Sequence, residues 1–197
     1  QINFSKTGSS DDSVLALGVA EFEDNLPDVL ADLDRRTKGM VARAVKTARF
    51  TGAKGQLVEI LAPSGLDLER LLVAGLGDPE HVGTTEAQDF GAAVIARLLT
   101  SGEKAATLRL ALDGDDDAGH AVAAAFGAFL RSYRFDIYRT TQKKADKPTL
   151  ARVTVESSDP AEAKKAWKAA EAVARGVFFT RDLVSEPPIF ICLRNRP

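Results

Sequence analysis

The sequence is poor in the residues that most often do chemistry. Its 197 residues include one cysteine and two histidines. A single thiol, Cys192, excludes an internal disulfide and suits a reducing cytoplasm. It has no evident activating partner in the sequence and reads as a bystander. Neither His81 nor His120 has a metal-ligand neighbour at i+4, and both H-E-x-x-H and Cys-x-x-Cys are missing. So are the G-x-S-x-G nucleophile elbow and the G-x-x-x-x-G-K phosphate loop. The longest apolar runs, such as Leu71–Leu76, are far too short to span a bilayer. The first residues lack a basic segment followed by an apolar core, so no signal peptide is expected. Neither sign of charge dominates: 26 basic and 28 acidic residues give a net −2. They are interspersed, which leaves no footprint for nucleic acid or an anionic membrane. From the residues alone, no catalytic, cofactor-binding or metal-ligating side chain is expected.

What is present is the pattern of an α/β domain. The balance of 45% hydrophobic and 27% charged residues is that of a soluble globular chain. Ile2–Phe4 and Val14–Val19 read as strands around a polar loop. Leu26, Val29, Leu30 and Leu33 recur at helical spacing, and so do Val41, Ala44, Val45 and Ala48. Leu57–Leu61 and Leu71–Leu76 read as strands, the second unbroken as for a strand covered on both faces. Thr85 and Gln88 have capping-box spacing, and a helix is predicted from there through Leu98. Leu108, Leu110 and Leu112 alternate, which predicts a strand with one buried face. Val122, Ala125, Phe126, Phe129, Leu130 and Tyr133 form a helical stripe. Residues 139–149 read as a polar loop, and Val153 and Val155 as a last strand. Asp159, Pro160 and Glu162 then open a long helix, with Asp as cap and Pro preset in the first turn. Strands alternating with helices predict a sheet covered by helices.

Three short patterns invite a function. Gly75-Leu-Gly77 follows a buried strand, but the third glycine of a dinucleotide fingerprint would fall at Glu80. A tight strand exit is the better reading, and no specific affinity for ADP-ribose or dinucleotides is expected. Asp113, Asp115, Asp116 and Asp117 lack the alternation and closing Glu of a calcium loop, and suit the positive amino end of a helix. Lys143, Lys144 and Lys147 read as a solvated loop.

Three segments resemble the leucine aminopeptidase family. Arg70-Leu-Leu-Val-Ala-Gly-Leu-Gly77 is similar to its R-L-L-L-V-G-L-G strand. Phe129-Leu-Arg-Ser-Tyr-Arg-Phe-Asp136, with Tyr138, resembles its L-x-x-Y-R-F-D-x-Y helix end. Thr180-Arg-Asp-Leu-Val-Ser-Glu-Pro-Pro188 resembles A-R-D-L-V-N-E-P-P-N, the most specific of the three. Their order and spacing fit, over about residues 1–188. The departures are Thr180 for Ala, Ser185 for Asn and Ile189 for Asn. For the matched residues an architectural role is expected: Arg181 and Glu186 pairing or capping near a helix end, Pro187 and Pro188 stopping it, Tyr133, Phe135 and Tyr138 packing.

The resemblance implies a macro-domain-like three-layer α/β/α fold with a mostly parallel sheet over residues 1–158. A connector helix and its stop would follow over 159–188. It also implies a cytoplasmic hexamer that releases amino-terminal residues from peptides. Two divalent metals, zinc or manganese, would sit in a carboxy-terminal domain absent from this sequence. None of that domain's ligands can be carried onto a residue here, so this chain alone is expected to be inactive. Its expected partners are its own catalytic domain and other copies, with no membrane or nucleic acid. A free-standing macro-like binding or interaction domain is the alternative. Residues 189–197 (Ile189 to Pro197) lose all resemblance and are expected not to be the family's own continuation. The connector helix carries Val177, Phe178 and Phe179 beyond one narrow stripe, so part of its surface is expected to want a second partner.

Overall fold

The computed structural model describes residues 1–9, 11–23, 25–112 and 117–187. The elements run β1 (Ile2–Ser5), β2 (Val14–Ala20), α1 (Asp28–Arg36), α2 (Met40–Ala48), β3 (Leu57–Leu61), β4 (Arg70–Gly77), α3 (Thr84–Leu98), β5 (Ala105–Ala111), α4 (Asp117–Arg131), β6 (Arg152–Glu156) and α5 (Pro160–Ser185). The six strands form one sheet in the order β1-β6-β5-β2-β4-β3. Four of the five pairings are parallel, and β3 runs antiparallel to β4 at the far edge. The fold is a mostly parallel α/β architecture, in agreement with the sequence pattern.

Strands β2 and β4 sit in the interior and explain the unbroken apolar runs. Val14, Ala16, Leu72, Ala74 and Leu76 face a core shared with α3, α4 and α5. The alternate residues Leu15, Leu17, Val19, Leu71 and Val73 face a second core with α1, α2 and β3. A strand with an apolar core against both faces reads as a continuous apolar run. On the α1/α2 side the buried strand residues of that second core come from β2, β3 and β4, with Ala111 at the end of β5 packed against it. The corresponding face of β5 and β6 is polar, and its groups pair with one another. Thr107 donates to Asp12 Oδ2 at 2.9 Å, Arg152 pairs with Asp12 Oδ1 at 2.6 Å, and Arg109 pairs with Glu156.

Here the structure corrects the reading of β5. Ala106, Thr107 and Leu108 are all buried, so both faces of the strand are covered at its start. The alternation is real, but its polar half is an internal hydrogen-bonded layer rather than a solvated one. A second correction concerns α3. The helix starts at Thr84 with Gly83 as its cap, and Glu86 Oε2 accepts from the Gly83 N–H at 3.1 Å. Half of a capping box thus forms two residues before the predicted Thr85–Gln88 pair. Lys54 reaches the other Glu86 oxygen at 3.2 Å and favours that register.

Helices α3 and α4 cross with almost no side chain between them. A Cβ on Gly91 would lie 1.9 Å from the Ala124 carbonyl oxygen, and one on Gly127 1.9 Å from that of Gln88. The tightly buried face of α4 is therefore Ala121, Ala124, Ala125 and Ala128. The larger residues of the predicted stripe, Val122, Phe126 and Phe129, are partly buried beside it, and Tyr133 lies past the end of the helix.

Candidate functional site

The patterns tested in the sequence fall at separate places. The Gly75–Gly77 turn is filled by the chain's own backbone. A Cβ on Gly75 would stand 2.1 Å from the Ala53 carbonyl oxygen. Gly77 has φ +92°, a left-handed conformation suited to glycine. Its N–H donates to Gly52 O at 2.9 Å, and its carbonyl accepts from Glu21 N at 2.8 Å. These glycines admit the 52–54 turn against the strand end.

His81 is exposed and contacts Asp78 through Nδ1 at 2.8 Å. Lys143 and Lys147 are exposed, while the Lys144 side chain lies outside the described residues. Asp113, Asp115, Asp116, Cys192 and the whole 189–197 tail lie outside them too. Among the described residues no group of three or more His, Cys, Asp or Glu side chains could hold a metal ion. The described residues do not fit a metal centre, and no metal chemistry is assigned to them.

Asp117, the described member of the acidic run, has a structural task. Its Oδ2 accepts from the Ser157 hydroxyl at 2.7 Å, the Ser158 hydroxyl at 2.9 Å and the Ser158 N–H. This ties the start of α4 to the junction of β6 and α5. Burial alone would raise its pKa. The donors Ser157 and Ser158 and the charge of His120 outweigh that and hold the carboxyl below the ordinary 3.8.

The two helix-end motifs meet. Asp159 caps α5 as its sequence predicts, accepting from Ala161 N at 3.1 Å and Glu162 N at 3.0 Å. The first half of α5 buries Ala163, Trp167 and Ala174. Trp167 packs edge-on to Phe129 with 5.8 Å between centroids, and Phe129 stacks on Phe178 at 4.8 Å. Beyond this point a polar clasp takes over. The Tyr133 hydroxyl donates to Asp182 Oδ1 at 2.9 Å, the Arg181 guanidinium lies 4.1 Å from the Tyr133 ring centroid, and the Tyr138 hydroxyl donates to Glu186. Arg181 and Glu186 therefore engage tyrosines rather than each other. Arg181 lies in the last turns of α5, whereas Glu186 lies just past its end. Burial, with Asp182 beside it, raises the Tyr133 pKa; the hydrogen bond to Glu186, with burial, raises that of Tyr138. Glu186 turns extended before Pro187, which ends the helix.

The inward path along α5 is Ala163, Trp167, Ala170, Ala174 and Phe178, and the predicted Val173 and Val177 are not on it. They look outward. Val173 is 60% exposed, Phe179 61% and Val184 81%, with Val177 and Leu183 at 38% each. The last three turns of α5 thus carry a second apolar face opposite the first.

Comparison with known proteins agrees with the motifs. Residues 16–142 match the family described as cytosol aminopeptidase family, N-terminal domain. The chain belongs to the cytosol aminopeptidase family. It is 40% identical over 151 residues to a probable cytosol aminopeptidase of Caulobacter vibrioides, covering 77% of this chain and 30% of that protein. A probable cytosol aminopeptidase of Rhodopseudomonas palustris is 40% identical over 149 residues, covering 75% and 30%. The chain therefore spans about 30% of the length of the curated relatives it matches. Among solved structures, a tomato leucine aminopeptidase mutant superimposes with a TM-score of 0.81 at 26% identity, covering 94% of this chain and 38% of that one. The bottromycin maturation enzyme BotP in complex with Mn gives 0.62 at 25% identity, covering 89% and 32%. Among the described residues no helix is long and apolar enough to cross a membrane.

Proposed function

We propose that this chain is the non-catalytic amino-terminal domain of a metal-dependent aminopeptidase. In this reading α5 is the connector that delivers the chain to the catalytic part and seats it there. The parent acts in the cytoplasm as a homo-oligomer, a hexamer as in the resembling family. It removes amino-terminal residues from peptides with two divalent metals, zinc or manganese, held wholly outside this chain. The domain itself contributes to assembly and to substrate access.

One observation carries this reading: α5 is apolar on two faces. The inner face is satisfied by Phe4, Phe129 and Tyr133. The outer one, with Val173, Val177, Phe179 and Val184, is left to water. A surface helix that only completes its own domain needs one stripe. The tyrosine clasp holds the last turns in place, so the outer face is presented at a defined angle.

The test is an activity assay. The purified 197-residue chain is incubated with a leucyl chromogenic amide and manganese or zinc. No turnover above background is expected, because no described cluster can hold the metals. Turnover that co-purifies with the chain and survives removal of contaminating peptidases would overturn the non-catalytic assignment.

A further inference from the structure

Four arginines gather where the end of α4 meets the last turns of α5. Arg131, Arg134, Arg139 and Arg181 line an open groove of ≈ 540 Å³ together with Tyr133 and Asp136. Four guanidinium groups against the lining carboxylate of Asp136 and that of Asp182, which accepts from Tyr133 at 2.9 Å, leave a local surplus of two positive charges. The chain as a whole has a net charge of −2, so the groove is not part of a general basic surface.

How these groups are held matters more than their number. Arg134 donates through Nε to Asp136 Oδ2 at 2.5 Å, and Arg139 faces Asp136 Oδ1 through Nε at 3.6 Å. Arg181 is held by the face of its guanidinium on Tyr133, which is itself fixed to Asp182. Arg131 forms no ion pair among the described residues. Asp136 and the tyrosine ring therefore orient Arg134, Arg139 and Arg181 through Nε and through the guanidinium face. Among the described residues their terminal nitrogens make no hydrogen bond to a carboxylate. A structural cluster uses those atoms differently. Arg70 and Arg97 both place terminal nitrogens on Glu59, in addition to the Nε contacts of Arg97 to Glu59 and of Arg70 to Glu103.

We propose that this groove binds the terminal phosphate group of a small anionic ligand. A guanidinium fork matches two phosphate oxygens at once, and a terminal phosphate offers three. Its double charge offsets the surplus, whereas a single carboxylate offsets one charge and can satisfy one fork. The volume leaves room for a small organic group beside the phosphate. The carboxyl end of α3 also borders the groove through Leu99 and Thr100 and works against an anion. That effect is reduced because the Leu99 carbonyl already accepts from Thr149 N at 2.9 Å. The bridging, singly charged phosphates of a dinucleotide lack the terminal group that this arrangement suits, so the site does not revive the Gly75–Gly77 reading.

Inorganic phosphate and phenyl phosphate are titrated separately into ¹⁵N-labelled chain at constant ionic strength, following backbone and arginine Nε–Hε signals. Saturable shifts confined to residues 131–139 and the end of α5 are expected, with acetate giving none. Tighter binding of phenyl phosphate would mark an organic phosphate as the ligand, and equal binding the free ion. Arg131→Gln removes a side chain with no ion pair to lose and should weaken binding about tenfold at an unchanged melting temperature. Arg181→Gln should weaken it at least as much, and Arg131→Lys should recover part of the loss. Shifts that never saturate, shifts matched by acetate, or binding indifferent to both glutamine variants would overturn the proposal.

Discussion

At Asp117 one carboxylate oxygen accepts from Ser157 and twice from Ser158, and so joins two elements that are 40 residues apart. Its folded-state pKa lies below the unfolded value, so the contact adds stability above about pH 3.8 and loses it as the pH falls through the depressed folded value. Asp117→Asn should therefore be less stable than the parent at neutral pH, and the gap should narrow in acid. Thermal melts across the acid range decide it; a gap that widens toward low pH would contradict the sign. The sequence showed an acidic run before a helix, and the helix-end reading of Asp117 holds. It did not show the serine donors, because nothing in a linear pattern places Ser157 beside Asp117. The same limit applies at Gly75. Its glycine requirement was legible as a tight turn, while the partner that demands it, the Ala53 carbonyl, comes from another segment.

Helices α3 and α4 illustrate the element scale. Their backbones touch at Gly91 and Gly127, so the two helices behave as one packed unit. Gly127→Ala should push them apart and cost about 1–3 kcal/mol, read from denaturant unfolding. Gly176→Ala in α5 meets nothing within 4 Å and should instead stabilise by about 0.5–1 kcal/mol through helix propensity. Opposite signs for one chemical change are the expected result. Equal effects would mean that the close crossing contributes nothing. Helix α4 was legible as a helix from the stripe Val122 to Tyr133, which runs two residues past its end at Arg131. The choice of contact face was not, because large apolar residues dominate a periodicity reading while the closest packing uses the small ones.

For the whole molecule, the decisive feature is the outer face of α5. Phe179 and Val184 are 61% and 81% exposed, so replacing them removes little packing from this chain. Phe179→Asp with Val184→Asp should leave its own stability within about 0.5 kcal/mol, the usual range for surface changes. The double variant should reduce self-association of the chain, measured by sedimentation. In a longer protein that includes the catalytic part, it should lower the melting temperature. No effect in either setting would remove the support for the connector reading.

The sequence by itself determined the elements and their family. The unbroken apolar run Leu71–Leu76 required β4 to be covered on both faces, Asp159 and Pro160 marked the start of α5, and three motifs pointed to the aminopeptidase family that the comparisons then showed. These are local signals, in which chemistry and spacing along a few residues suffice. Only the tertiary structure decided which faces are used. It set the strand order β1-β6-β5-β2-β4-β3, turned Phe178 inward and Phe179 outward, paired Tyr133 with Asp182 and Tyr138 with Glu186, and drew four arginines to one groove. Periodicity specifies which residues share a face. Whether another element covers that face depends on contacts between segments far apart in the chain, and no local pattern carries that information.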